Sequence, residues 1–291
     1  MAASDAGPAP SRHRSGRRDT RKLVAPWLLV APGVLWLTLF CVVPAATLVR
    51  ASVARASGPW WDGYLRAITQ YGGHLERSFW YALVATVAAF AMGYPLAYVI
   101  AFRSGRFKHF LLGLVALPLF VTFLVRTFAW KTIFNDNGLV VRVLGAVHLL
   151  PPQGRLLDTV WAVLGGLTYN FLPFMILPVY VSLEKIDRRL VEAAQDLYCN
   201  SRRAFWRVVF PLSLPGVFAG TLLTFIPAAG DFINAELLGG PNQQMIGSVI
   251  QTRFLVVRDY PLAAALSVVL MAILLVLVLV YTHFLGTEEL A

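Results

Sequence analysis

The stretch VEAAQDLYCNSRRAFWRVVFPLSLPG, residues 191–216, lies between two long apolar runs and is unlike either of them. Glu192, Asp196, Arg202, Arg203 and Arg207 give it charge, Ala193 and Ala194 give it a smooth face, and Pro211 and Pro215 close it. From Leu183 to Leu197 the residues are helix formers, and a break follows at Tyr198–Asn200. Asn200 or Ser201 can cap a second helix that carries Phe205, Val208 and Val209 before the prolines turn the chain back into its apolar surroundings. The segment therefore reads as two short helices joined at a bend. Alanines let a partner backbone approach closely, and neighbouring aromatic rings can anchor in a groove, so such a pair suits docking into another protein. The alternative is a solvated charged linker.

What flanks this stretch sets the fold class. Hydrophobic residues make up 58% of the chain and charged ones only 14%, and the apolar residues come in blocks instead of at the spacing of a soluble amphipathic helix. A helix needs about 20 apolar residues to cross a hydrocarbon core. Six stretches meet or approach that length, at 24–49, 78–102, 109–129, 157–181, 212–229 and 262–285. The reading is an all-α membrane protein of six transmembrane helices, with residues 23–285 as the membrane domain.

A net charge of +10 raises the question of nucleic acid, and the placement of the charge answers it. Arg12, Arg14, Arg17, Arg18, Arg21 and Lys22 lie in the N-terminal tail, and Arg103, Arg106 and Lys108 between the second and third spans. Lys185, Arg188, Arg189, Arg202, Arg203 and Arg207 lie between the fourth and fifth. The opposite loops are longer and hold fewer, which puts both termini and the 182–211 loop in the cytoplasm. No basic stripe carries interleaved aromatics, so a nucleic-acid partner is not expected and the lipid bilayer is. The apolar run from Leu23 to Val49 is about twice the core of a cleaved signal and reads as a retained anchor; Arg17–Arg18 fits a positive-inside tail better than a twin-arginine signal.

Residues 1–22 are polar and aperiodic and read as a disordered cytoplasmic tail, with 286–291 as a second, short one. On the outer side, Trp60, Trp61 and Tyr64 suit the membrane–water boundary. Asn135–Gly138 is a turn between two apolar pieces too short to span, and Gly239–Asn242 is another. Both loops read as short interfacial or re-entrant helices, which survive at membrane depth only where protein or a watery cavity covers them. Pro173, Pro178, Pro215 and Pro227 interrupt the fourth and fifth spans and imply kinks around a cavity. Cys41 and Cys199 fall too far apart in the membrane frame to bridge.

Searches for catalytic chemistry return little. The sequence has no GxxxxGK[ST] phosphate loop, no HExxH and no G-x-S-x-G elbow, and its five histidines are scattered. No cofactor or metal is expected in this chain, nor an enzymatic activity of its own. Ionisable groups near membrane depth are few: Asp231 and Glu236 after the fifth span, Arg126 and Lys131 at the end of the third. Each is either a pathway residue or a boundary group paired with headgroups and neighbours. Tyr169–Asn170–Phe171, beside Pro173, either lines a path or satisfies a kink.

The opening stretch resembles the EAA loop of ABC-importer permeases, whose pattern is EAA, three residues, a glycine, and about nine residues on an apolar residue followed by LP. Glu192, Ala193, Ala194, Asp196, Leu197, Phe205 and Pro211 match; the glycine position holds Tyr198 and LP is Phe210–Pro211. A tyrosine there must keep the bend at negative φ or pass it on to Asn200. RTFAWKTIFNDNGLVVRVL (126–144) and GDFINAELLGGPNQQMIGSVIQTRFLVVRDYPLAAALS (230–267) are similar to the outer loops of spermidine/putrescine-type permeases, and with the EAA loop the resemblance covers most of 25–285.

That resemblance implies a type I (MetI-like) six-helix permease in a bacterial plasma membrane. It implies a coupling loop held by a cytosolic ATPase dimer that carries ATP and Mg, a second permease subunit expected as a heterodimer partner, and an extracytoplasmic solute-binding protein. Relatives in this branch also move ferric iron, thiamine and opines. A polyamine would meet acids and aromatic faces, for which Asp231, Glu236, Asp136 and Trp130 are the candidates, with Tyr169 and Asn170 beside them. A secondary transporter would need intramembrane carboxylates, which the spans almost lack, and a non-transporting scaffold would not need proline-kinked helices.

Overall fold

The computed structural model describes residues 20–54, 59–146, 154–196 and 200–285. Of the tails expected at 1–22 and 286–291, residues 1–19 and 286–291 lie outside the described residues, as do Leu197, Tyr198 and Cys199. By its contacts the chain divides into residues 1–47 and 48–291. The first is dominated by α1 (Thr20–Val53), a long apolar helix that begins at the last residues of the expected tail and bears an exposed Cys41.

The second unit is built around three helices, α3 (Gly72–Phe102), α7 (Val160–Glu184) and α10 (Phe210–Ala229). Small side chains let them approach. Ala82, Ala85, Ala89 and Ala97 of α3 are buried against Val163, Leu167, Met175 and Val179 of α7 and Val217 and Ala228 of α10. Without a hydrophobic drive between helices in lipid, such packing is what holds a bundle together. A Cβ on Gly216 would stand 2.6 Å from the Pro178 carbonyl oxygen, and one on Gly220 would stand 2.9 Å from the Met175 sulfur. Between α1 and α3, α2 (Asp62–Thr69) carries the exposed Trp60 and Trp61 just before it, and its Tyr64 hydroxyl lies 2.5 Å from Ser52 Oγ.

Two spans differ from their sequence-based bounds. The third, expected as one span over 109–129, is two helical pieces, Gly105–Phe120 and Phe123–Ile133, bent by 95°. Within it α4 (Lys108–Ala116) tightens into a 3-10 turn at Leu117–Phe120 containing Pro118, Val121 is extended, and α5 (Phe123–Ile133) starts afresh. Pro118 offers no N–H to the preceding turn, which is where a helix yields. The fifth, expected from 212, begins at Ser201 and runs unbroken to Ala229. Its first turn, α9 (Ser201–Ala204), widens at Phe205–Val209 into a π turn in which the Phe210 N–H donates to the Phe205 carbonyl. The widening absorbs the missing donor of Pro211, so that proline opens α10 instead of turning the chain.

The segments expected as outer loops form short helices: α5 and α6 (Leu139–Ala146) flank the Asn135–Gly138 turn, closed by a 2.6 Å bond from the Gly138 N–H to the Asn135 carbonyl. In the same way α11 (Ile233–Leu238) and α12 (Ile246–Gln251) flank the Gly239–Asn242 turn. Ser78 of α3 accepts from the Ile246 N–H at 2.7 Å, and Arg77 donates to the Gln244 carbonyl, so this re-entrant segment is covered by protein. The last span, α13 (Tyr260–Leu285), packs its Tyr281 ring edge-on to Phe218 of α10.

Replacing Gly216 by alanine forces α7 and α10 apart, an overpacking cost of about 1–3 kcal/mol. Replacing Gly113, where an added Cβ would meet nothing within 4 Å, does not. Thermal unfolding in detergent should therefore shift down for Gly216→Ala and stay put for Gly113→Ala.

Candidate functional site

Two places carry the residues that the sequence singles out. The first is the end of the bundle where α8 (Arg188–Asp196) and the π turn meet. Asp187 opens α8 by accepting from the Arg189 N–H at 2.9 Å. Val191 faces the bundle core, whereas Glu192, Ala193 and Asp196 are exposed and Ala194 is half-buried. Phe205 turns inward against the ends of α3 and α10, and Pro211 is exposed. The described part of the EAA-like stretch thus splits into an outward face of two acids and an alanine, and an inward aromatic. Lys108 of α4 and Glu184 of α7 form an ion pair at the same end.

The second place lies where the bent third span, α7 and α11 converge. Asn170 of α7, with no exposed surface, donates from Nδ2 to Asn234 Oδ1 at 3.0 Å and to Thr127 Oγ1 at 3.2 Å. Asn234 in turn donates its backbone N–H to Asp231 Oδ1 at 2.7 Å and its Nδ2 to Asp231 Oδ2 at 2.9 Å. Asp231 is the first residue of this corner and caps α11 three residues ahead, a placement that Asp favours. Gly166 makes room for Asn234: a Cβ there would meet Asn234 Oδ1 at 2.7 Å. Arg126, 9% exposed, donates from Nη1 to the Asn170 carbonyl at 3.4 Å and lies over the Phe123 ring. Arg126 Nε and Asn170 Oδ1 are buried with no partner among the described residues. Buried polar atoms left in this way are expensive.

Burial pushes the Asp231 carboxyl up from 3.8 to about 6, against the pull of its bonds from Asn234. Beside the network, the Trp130 and Tyr169 rings meet edge to face with centroids 5.1 Å apart. Asp136 stands away from this cluster, exposed on its turn and paired with Arg155 at 2.8 Å, which holds its carboxyl below the usual range. Glu236 is also exposed and lines, with Asp158 and Gly239–Gln244, a cavity of about 390 Å³. The structure therefore brings together Trp130, Tyr169, Asn170 and Asp231, and leaves Asp136 and Glu236 outside. Thr127 and Asn234 are members that the sequence reading passed over. The D-x-x-N spacing of Asp231 and Asn234 was the available signal for the latter.

With this geometry in hand, comparison with known proteins is decisive. Residues 93–285 match the family described as "Binding-protein-dependent transport system inner membrane component". The chain belongs to that family. The permease is 35% identical over 254 residues, 84% of this chain and 89% of the other, to the spermidine/putrescine transport system permease protein PotB of Haemophilus influenzae. It is 34% identical to PotB of Escherichia coli strain K12, over 84% and 92% of the two chains. Its fold matches a bacterial ABC transporter involved in the import of the acidic polysaccharide alginate, with a TM-score of 0.74 at 18% identity over 94% of this permease and 100% of that chain. The expected class, an all-helical multi-pass inner-membrane permease of the MetI-like type, stands, and the chain is a transport subunit of a binding-protein-dependent ABC importer.

The raised Asp231 pKa has a consequence with a defined sign. The folded chain holds this proton more tightly than a free carboxyl does. The penalty for a buried charge is thus absent below 3.8, grows through about 6 and is complete above it. Asp231→Asn removes the titration. Relative to that variant, wild type should lose about 1 kcal/mol of stability between about pH 5 and about pH 7.5. Melting curves of both proteins in detergent at the two pH values test this.

Proposed function

We propose that this permease forms half of the transmembrane path of a polyamine importer in a bacterial plasma membrane, with both termini and the 182–211 loop in the cytoplasm. The observation that carries the solute class is the 35% identity, along 84% of the chain, to a relative named as a spermidine/putrescine permease. Cytosolic ATPases, which hold the ATP and Mg, dock on the exposed face of Glu192, Ala193 and Asp196, with Ala194, Leu197 and Tyr198 in the same loop and Phe205 and Pro211 at its base. A second permease chain completes the path, and an extracytoplasmic binding protein delivers solute to the outer loops. The permease itself supplies no catalysis. ATP binding can drive the cycle only through the difference in affinity of the ATPases for the two states of the path.

For a cationic solute, the Trp130–Tyr169 pair offers ring faces and Asp231 a carboxylate anchored by Asn234, with Asn170 between them. Glu236 and Asp136 lie nearer the outer surface and act on the approach.

Uptake of labelled spermidine by cells that depend on this importer tests the reading. Competition by unlabelled putrescine and spermidine, and not by ferric iron, thiamine or an opine, is expected. Tyr169→Ala with Trp130→Ala should lower uptake at least about five-fold, consistent with the loss of two aromatic faces worth about 0.5–2 kcal/mol each. Competition by one of the other solutes alone would assign the importer to that solute.

A further inference from the structure

The proposed docking face explains how an ATPase holds the loop, and leaves open what the loop pushes. On α3 the sequence reads Gly93-Tyr94-Pro95-Leu96-Ala97-Tyr98, with Phe102 one turn further on. Spacing by four puts Tyr94, Tyr98 and Phe102 on one face of the helix. Tyr94 is buried and Tyr98 and Phe102 are half-buried, so the three rings make a strip running to the end of α3.

Two parts of the loop grip this strip, one from each side of its bend. Beyond the bend, the Phe205 ring stands edge-on to Tyr94 at 5.9 Å and 87° and to Tyr98 at 5.5 Å and 82°. Ahead of it, Arg188 at the start of α8 donates from Nη2 to the Ala101 carbonyl at 3.2 Å and lies 5.9 Å from the centre of the Phe102 ring. Tyr98 and Phe102 touch one another at 5.0 Å. The strip is also tied to α10. Ser213 Oγ donates to the Phe210 carbonyl at 2.8 Å, so in the 2.9 Å bond between Tyr94 and Ser213 the tyrosine hydroxyl donates.

Both gripped helices are weak at this level. Phe205 opens the π turn of Phe205–Val209, and Tyr94 is followed by Pro95, which takes a donor out of α3. π turns and internal prolines are the places where a helix changes direction at least cost. Rings meeting edge to face resist sliding in a way that aliphatic contacts do not, because their attraction depends on angle.

We infer that the Tyr94–Tyr98–Phe102 strip of α3 is the receiving surface of the coupling loop: Phe205 and Arg188 carry displacement of α8 into α3, and the Tyr94–Ser213 bond makes α3 and α10 move with it. The three ring residues are positioning residues, and the inference rests on the reading of 182–211 as the coupling loop.

The test uses the assembled importer, permease with its ATPase, partner permease and binding protein, in proteoliposomes, and reads solute transported per ATP hydrolysed. Phe205→Leu and Tyr98→Leu should each lower transport per ATP about ten-fold, and Tyr98→Leu, which lies outside the docking loop, should do so with the ATPase bound in wild-type amount. Phe205→Tyr, which keeps the ring, should restore it. A doubly substituted permease, Phe205→Cys with Tyr98→Cys and with Cys41 and Cys199 replaced by serine, gives a readout that simple loss of packing would not move. It should be uncoupled when free and recover transport when the pair is joined by a short methanethiosulfonate crosslinker, because loop and α3 travel together. Wild-type transport per ATP in both leucine variants overturns the inference. So does release of the ATPase by Tyr98→Leu, or a crosslink that blocks transport. Absence of the ATPase from the wild-type assembly is a different failure, that of the coupling-loop reading itself.

Discussion

In hydrocarbon every backbone N–H and C=O must find a partner inside the protein, and an orphan costs several kcal/mol. The architecture follows from how this permease meets that demand where its helices are interrupted. The third span breaks by 95° at Val121–Thr122, and the chain between α10 and α13 never becomes a full span. Both irregular segments are pressed onto α7 and α3, and polar side chains complete them: Asn170, Thr127 and Asn234 between α7, α5 and α11, and Ser78 under α12. The small residues along α3, α7 and α10 make that coverage geometrically possible, because only close helices bring these short side chains within reach.

The two ends of the bundle use this frame differently. At one end, Asp231 and Arg126 are held in a network of neutral amides and a hydroxyl with no direct ion pair between them among the described residues. Replacing one member leaves others unsatisfied, so the network ties the bent span to the re-entrant segment as a unit. At the other end, aromatic rings take over from amides, and α8 leaves its acids and Ala193 facing out. A polar lock and an aromatic joint on the same three helices suit a protein that must hold two arrangements without unfolding.

Much of this was legible in the sequence. The apolar blocks gave four of the six spans nearly in place, because the length of a hydrocarbon crossing leaves little freedom. The turns at Asn135–Gly138 and Gly239–Asn242 showed where the outer loops double back. Position 118 shows where reading stopped: a proline signals that a helix will yield, and whether it kinks or bends by 95° depends on what packs around it. Pro211 misled in the opposite sense, since a π turn let the helix pass through it. At the site, Asp231, Asn170, Trp130 and Tyr169 were visible as rare polar or amphipathic residues at depth. Their assembly with Thr127 and Asn234 was not, because it joins positions up to 107 residues apart. Asp136, also read as a pathway acid, stands apart from that cluster on an exposed turn, paired with Arg155.

The claim on which the functional account stands is that the exposed face of α8 holds an ATPase. Copurification of the tagged permease from its native membrane measures this directly, comparing wild type with Glu192→Lys combined with Ala193→Asp and identifying the associated chains by mass spectrometry. Both changes sit on exposed positions and leave the bundle intact. The account requires a cytosolic ATPase with the wild-type permease and its loss from the variant, while the partner permease stays bound. An ATPase retained in full by the variant, or absent from the wild type, contradicts it.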